Sequence, residues 1–305
     1  MTKYEVIIIG GGPAGLTAGL YASRAGLKTA LLEKGMFGGQ IVNALKVENY
    51  PGFPDGISGF DLVSLMHQQA MKYGMELINA EATGIESGKP DIVVTTDARY
   101  EADAVIIAAG SEYTKLNVPG EKEYIGRGIS YCATCDGAFF KDVEVAVIGG
   151  GDTALTDALE LTQHASKIHV IHRRDQLRAS QVLQERAFKN HKLNFVWNSV
   201  VEEIKGNSMV NELKLKNAKT SEISSLPVAG VFVAIGLKPN SQHFNSLLKL
   251  DEFGYIITDP VMTTSLPGIY AAGDIRKNSV RQVSSAVGDG AAAAINAFKY
   301  IREQH

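Results

Sequence analysis

Two glycine-rich turns constrain this 305-residue chain more than any other feature, because each makes sense in only one kind of local setting. The first lies in "YEVIIIGGGPAGLTAGLYASRAGLKTALLEK". It reads as an apolar strand, a turn, an amphipathic helix from about Ala14 to Ala25, and a second strand ending at Glu33. Gly10, Gly12 and Gly15 form G-x-G-x-x-G between strand and helix, the context in which the motif carries meaning. Gly10 permits the tight turn. Gly12 lets the backbone approach a pyrophosphate at the helix N-terminus, and Gly15 lets helix and strand pack closely. Such a turn also serves plain helix–strand packing, but an acid at the end of the second strand can accept hydrogen bonds from a ribose.

The pattern returns in "VEVAVIGGGDTALTDALELTQHASKIHVIHRR", where Gly149 takes the place of Gly10, Gly151 of Gly12, Ala154 of Gly15 and His172 of Glu33. The chain therefore contains an internal repeat. Where the first copy ends its second strand in an acid, the second has His172, Arg173 and Arg174, with Arg178 a turn later. A carboxylate suits a 2′-hydroxyl and repels a 2′-phosphate, whereas guanidinium groups grip phosphate bidentately. The second unit is expected to prefer NADPH over NADH, through Gly149, Gly151, Asp152, Thr153, Ala154, His172, Arg173, Arg174 and Arg178. An exposed basic helix start is the competing reading of the arginines.

Each repeat closes with a strand running into glycine, "AVIIAAG" at 104–110 and "GVFVAIG" at 230–236. A third such segment, "GIYAAGD" at 268–274, follows both and is assigned to the first unit. The expected fold is α/β: two Rossmann-like three-layer dinucleotide-binding domains, the second inserted into the first. Residues 1–113 and 243–305 would form a discontinuous FAD-binding domain, and 114–242 an NADPH-binding domain carrying both cysteines. The linkers fall near "TKLNVPGE" and "GLKPNSQ", rich in turn residues. FAD fits the first domain because that unit also needs the distant "AAGD". Asp274 would meet a ribityl hydroxyl, and the Ala-rich helix from about Ser284 to Ile301 would aim its positive end at the flavin.

An apolar content of 45% fills two cores, and a net charge of −3 with scattered Lys and Arg leaves no basic field for nucleic acid. The apolar run before the first glycines is too short for a signal-peptide core or a membrane span, so a cytoplasmic protein with no membrane partner is expected.

Both cysteines lie in "SYCATCDGAFF", as Cys132 and Cys135, with Asp136 immediately after them. A structural zinc site needs four ligands, and there is no second C-x-x-C and no convincing histidine pair. Inert buried thiols remain an alternative to a redox-active dithiol, which a helix N-terminus or nearby charge would activate. Asp136, with a raised pKa, would pass the proton that disulfide reduction requires; it could also cap the following segment.

The two glycine motifs, "GGQ" at 38–40, "VENYPGF" at 47–53, "CATCDG" at 132–137, "HRRDQLRA" at 172–179, "AAGD" and "RQ" at 281–282 run over nearly the whole chain. In this order they resemble the low-molecular-weight thioredoxin reductases of bacteria and archaea. The resemblance implies FAD contacts at Gly38, Gly39, Gln40, Asn49, Asp274, Arg281 and Gln282. These join Gly10, Gly12, Pro13, Ala14, Gly15, Glu33, Lys34, Gly110 and Gly273. It implies that Cys135 is the sulfur nearest the flavin, that Cys132 attacks the thioredoxin disulfide, and that Asp136 is the acid. Arg127, Phe139 and Phe140 would meet the protein substrate, the chain would form a homodimer, and the inserted domain would swing on hinges near 112–118 and 240–246. The sequence departs from the family at Ala138, where an aromatic is common, and at Thr156, where Glu is common; the latter implies one ribose contact fewer. Rival readings are a similar flavoprotein disulfide reductase with another protein acceptor, and a dinucleotide-sensing module without turnover.

Overall fold

The computed structural model describes residues 1–44 and 46–304; Leu45 and His305 lie outside the described residues. The chain divides into two compact units, Met1–Glu112 with Lys238–His305, and Tyr113–Leu237.

In the first unit, strand β1 (Thr2–Ile9) enters the first glycine turn, helix α1 (Pro13–Arg24) leaves it, and β2 (Thr29–Glu33) returns parallel to β1 with Ile8 opposite Leu31. Pro13 opens the helix, one residue earlier than the sequence suggests, because its missing N–H would have had no partner there and its φ is already helical. Helix α2 (Gly59–Met71), whose first turn is capped by Ser58 accepting from the Asp61 N–H at 3.0 Å, leads to β3 (Glu76–Asn79) beside β2. Strands β4 (Ala82–Glu86), β5 (Asp91–Thr95) and β6 (Arg99–Ile107) then form an antiparallel arm.

β6 is the branch point. One edge runs parallel to β1, with Ile106 opposite Ile8. Its other edge takes β5 near its start and the strand Ile269–Ala271 near its end, with Ile269 opposite Val105. The "GIYAAGD" segment therefore does complete the first sheet. Both faces of that sheet are buried, so its strands read as near-continuous apolar runs. Val6, Ile8, Ala104 and Ile106 face α1 and the helix Val283–Gln304; Ile7, Ile9, Val105 and Ile107 face Phe244, Leu248 and Ile256. The long helix is rich in alanine and glycine because it packs backbone to backbone: a Cβ on Gly290 would lie 2.1 Å from the Ala14 carbonyl oxygen.

The second unit is built on a five-stranded parallel sheet in the order Leu193–Val196, Lys167–Ile171, Glu144–Ile148, Gly230–Val233, Ile129–Ser130. Val145 and Val147 pack under the helices Asp152–Leu161 and Gln181–Lys189. Ala146 and Ile148 pack on an antiparallel meander, Ser199–Gly206, Val210–Asn217 and Ile223–Pro227. Helices, sheet and meander make three layers.

The chain passes back to the first unit at Leu237–Lys238, a few residues before the sequence-based boundary at 242. Asn240 explains the shift: its N–H donates to the Gly110 carbonyl at 3.0 Å and its side-chain amide to that of Ala109 at 2.8 Å. Among the described residues no helix is long and apolar enough to cross a membrane.

Candidate functional site

In the first unit the glycine turn shows which of its glycines the protein needs for itself. A Cβ on Gly10, whose φ is +106°, would meet the Ala108 carbonyl oxygen at 2.5 Å, and one on Gly15 the Gly10 oxygen at 1.9 Å. Gly12 is different: only the Gly39 Cα, at 3.9 Å, lies within reach of such an atom. The space over the helix N-terminus at Pro13 and Ala14 is thus left clear for a ligand backbone, as a pyrophosphate requires. Gly38, with its N–H donating to the Gly11 carbonyl at 2.8 Å, brings Gly39 and Gln40 beside this turn. Gln40 donates its side-chain amide to the Ser111 carbonyl, just beyond Gly110.

Glu33 closes the turn. Its carboxylate accepts the Gly11 N–H at 2.8 Å and the Gly35 N–H at 2.9 Å, leaving lone pairs for ribose hydroxyls. Lys34, by contrast, forms an exposed ion pair with Glu81 at 3.3 Å. On the other side, Asn49 donates to the Gln282 side-chain oxygen at 3.1 Å, and Gly273, at φ +76°, lies against the Ala14 Cβ. Asp274 accepts from the Ser279 hydroxyl at 3.2 Å, and burial pushes its carboxyl pKa up. Arg281 reaches Tyr255, its guanidinium 5.5 Å from the ring centroid. Four buried side-chain polar atoms, on Ser23, His67, Ser111 and Thr258, have no protein partner among the described residues, and of these the Ser111 hydroxyl lies next to Gly110. A clear glycine cradle, an acid with spare lone pairs and an unpartnered hydroxyl next to Gly110 are the donor and acceptor set a flavin dinucleotide needs.

The second turn repeats the division of labour. A Cβ on Gly149 would meet the Ala234 oxygen at 2.4 Å and the Ala154 Cβ at 2.6 Å, whereas Gly151 faces open space. Asp152 opens the helix and accepts the Ser180 N–H at 2.6 Å; Thr153 is exposed beside it. Arg173, Arg174 and Arg178 are exposed and line a cavity of about 420 Å³ with Asn198 and Lys219. Lys219 comes from the turn of the meander and bridges to Asp175 at 2.6 Å, a contribution from far along the chain that the motif does not reveal.

His172 does not stand among these cations. It is buried, its Nε2 lies 3.0 Å from the Gln176 carbonyl, and burial, with help from the neighbouring arginines, lowers its pKa. It is a neutral ring packed under the turn: a Cβ on Gly150 would fall 2.3 Å from its Nδ1. The structure thus places His172 beneath the turn and against the arginine loop, while Arg173, Arg174 and Arg178 are exposed.

The cysteines lie in the second unit. Cys132 and Cys135 are joined in a disulfide with their Cα atoms 5.3 Å apart, and Cys132 caps the one-turn helix Ala133–Asp136, its sulfur receiving the Cys135 N–H at 3.2 Å. Asp136 accepts the Ser130 hydroxyl at 2.6 Å, and burial raises its pKa against the opposing pull of that hydrogen bond. Thr134 donates to Glu160 at 2.9 Å, pinning the cysteine turn to the nucleotide-binding helix. Phe139 is half-exposed, while Phe140 is buried edge-on against Phe232. Only the former presents its ring to solvent.

The carboxylate of Glu121, which no motif announces, is buried and accepts the N–H groups of Leu116 and Asn117 at 2.8 and 2.7 Å and the Tyr131 hydroxyl at 3.0 Å. It thereby ties the first linker to the residue preceding Cys132.

Two glycine turns between strand and helix together with a C-x-x-C disulfide define a class. Residues 4–290 match the family model of the pyridine nucleotide-disulphide oxidoreductases, and the chain belongs to that family. Within it, the chain is 51% identical over 302 residues to the thioredoxin reductase of Listeria innocua, covering 98% of this chain and 94% of that one. It is 49% identical to the thioredoxin reductase of Bacillus subtilis, covering 98% and 95%. Among solved structures, the thioredoxin reductase from Streptococcus pyogenes superposes with a TM-score of 0.96 at 47% identity, covering 99% of each chain.

Proposed function

We propose that this chain is a cytoplasmic, homodimeric thioredoxin-disulfide reductase that uses NADPH as reductant and FAD as its resident cofactor. The observation that carries the reading is the Cys132–Cys135 disulfide at the start of a helix, followed by a buried carboxyl and set in the same unit as a glycine turn with an arginine-lined groove. The near-half identity to named thioredoxin reductases along the whole chain supports it.

The first unit holds FAD through the Gly12 cradle, Glu33, Gly38–Gln40, Asn49, Asp274, Arg281 and Gln282. The second binds NADPH with its pyrophosphate over Gly151 and its 2′-phosphate against Arg173, Arg174 and Arg178. When bound, FAD accepts a hydride from NADPH and delivers two electrons to the protein disulfide.

The remaining chemistry belongs to the chain. Opening the S–S bond with two electrons leaves two thiolate sulfurs, and Asp136, whose pKa is raised by burial, is the acid placed to supply one proton. The helix N-terminus and the Cys135 N–H stabilise negative charge on Cys132, the sulfur that attacks thioredoxin. Attack forms a mixed disulfide and expels one thioredoxin thiolate; Cys135 then displaces the other, restoring the internal disulfide and leaving a reduced dithiol.

Anaerobic titration tests the proposal. Purified holoprotein should be yellow, bleach with NADPH, and then reduce a thioredoxin disulfide. Bleaching without disulfide turnover would assign another acceptor; no bleaching would remove the reductase reading altogether.

A further inference from the structure

Ser130 lies at the end of the edge strand Ile129–Ser130, opposite Phe232 in the parallel ladder, and is 4% exposed. Its hydroxyl does two things at once. It accepts the Cys132 N–H at 3.1 Å, and it donates to Asp136 Oδ2 at 2.6 Å. The Cys132 N–H belongs to a cap residue and precedes the helix, so no carbonyl of the helix can receive it. The hydroxyl has a single proton, and a carboxylate is a stronger acceptor than the Cys132 carbonyl, which lies farther off at 3.3 Å.

We infer that Ser130 is the positioning residue of this redox centre: one buried hydroxyl, anchored on the parallel sheet, fixes the acid Asp136 against the backbone of the cysteine that attacks the substrate. The inference rests on the reductase reading given above. It adds a residue that acts through the acid and governs when that acid releases its proton.

The direction follows from the two influences on Asp136. Burial favours the neutral acid; a hydroxyl donating to the carboxylate favours the anion, so Ser130 holds the pKa below what burial alone would set. Other ionisable groups sit on the helix Asp152–Leu161, packed against the cysteine turn, and on the turn that follows it. Glu160 is engaged by Thr134, Asp157 lies beside Glu160, and His164 lies against Gly137. The forces acting on the Asp136 carboxyl are burial and the Ser130 hydroxyl.

The test uses the FAD-loaded protein with Ser130→Ala and Ser130→Thr, each checked for flavin content and rate of bleaching by NADPH. Two readouts are followed against pH: the infrared carboxyl band of the protein labelled with 13C-aspartate, assigned by its loss in Asp136→Asn, and kcat/KM for thioredoxin. Ser130→Ala should raise the Asp136 midpoint by about one pH unit, the size of one hydrogen bond to a charged group. It should also move the alkaline limb of kcat/KM the same way, and Ser130→Thr should restore both. An unmoved midpoint in Ser130→Ala, with or without loss of activity, overturns the inference, as does a shift that Thr does not reverse. If the unmutated protein bleaches yet reduces no thioredoxin, the thioredoxin assignment falls in favour of another acceptor, and the infrared midpoint still decides the case of Ser130.

Discussion

Arg276 clasps Asp289 through two hydrogen bonds, Nε to Oδ2 at 2.5 Å and Nη2 to Oδ1 at 2.8 Å, while the Gly273 N–H donates to the same Oδ2 at 3.1 Å. Gly273 opens the segment bearing Asp274, and Asp289 lies on the helix expected to face the flavin, so this pair joins two parts of the proposed FAD site.

Both partners are largely buried, at 17% and 9% side-chain exposure, so removing the charge of one leaves the other stranded. Asp289→Asn should destabilise the first unit by about 3 kcal/mol and lower the flavin-to-protein absorbance ratio. Thermal unfolding of FAD-loaded protein, followed by flavin release, checks both.

Cys135→Ser should keep its yellow colour and its reduction by NADPH while losing turnover with thioredoxin, because the mixed disulfide formed by Cys132 then has no resolving sulfur. Stopped-flow spectra and trapping of a covalent thioredoxin adduct separate this outcome from a folding defect.

In the second unit, replacing Arg173 and Arg174 together with Ala should raise the NADPH KM roughly thirtyfold, about 2 kcal/mol of lost charge-assisted hydrogen bonding, and leave the NADH KM nearly unchanged. Steady-state rates with both nucleotides provide the measurement; equal effects would remove the phosphate assignment.

Asp157, on the helix Asp152–Leu161, has its pKa pushed up to about 7 by burial, with nearby Glu160 adding to the shift. A carboxyl raised in the folded state contributes stability that is fully present below its unfolded pKa of about 3.9 and is lost as pH climbs to about 7. Asp157→Asn should therefore be neutral near pH 4 and stabilising at pH 8, by something on the order of 2–4 kcal/mol. Denaturant unfolding at the two pH values checks the sign.

The two strand–turn–helix units were legible from spacing, because glycines at fixed offsets mark a tight turn between strand and helix, and because Arg173, Arg174 and Arg178 follow the end of the strand Lys167–Ile171. Three things escaped. His172 takes the place in the second repeat that Glu33 holds in the first, but residue type does not disclose burial, and the ring proved to lie under Gly150. Ser130, Glu121 and the Arg276–Asp289 pair are ordinary polar residues whose importance comes only from being buried together. The strands β4 and β5 and the meander 199–227 went unread, since short alternating strands carry little signal until a partner surface is known.

β6 branches to accept Ile269–Ala271, and α1 packs on Val283–Gln304, so the first lobe cannot close its sheet from residues 1–112 alone. The inserted lobe, 113–237, is continuous and leaves the ribosome while its host is still half-made. Chain order thus completes the sulfur-bearing lobe before the strand and last helix that the first lobe needs to close its sheet.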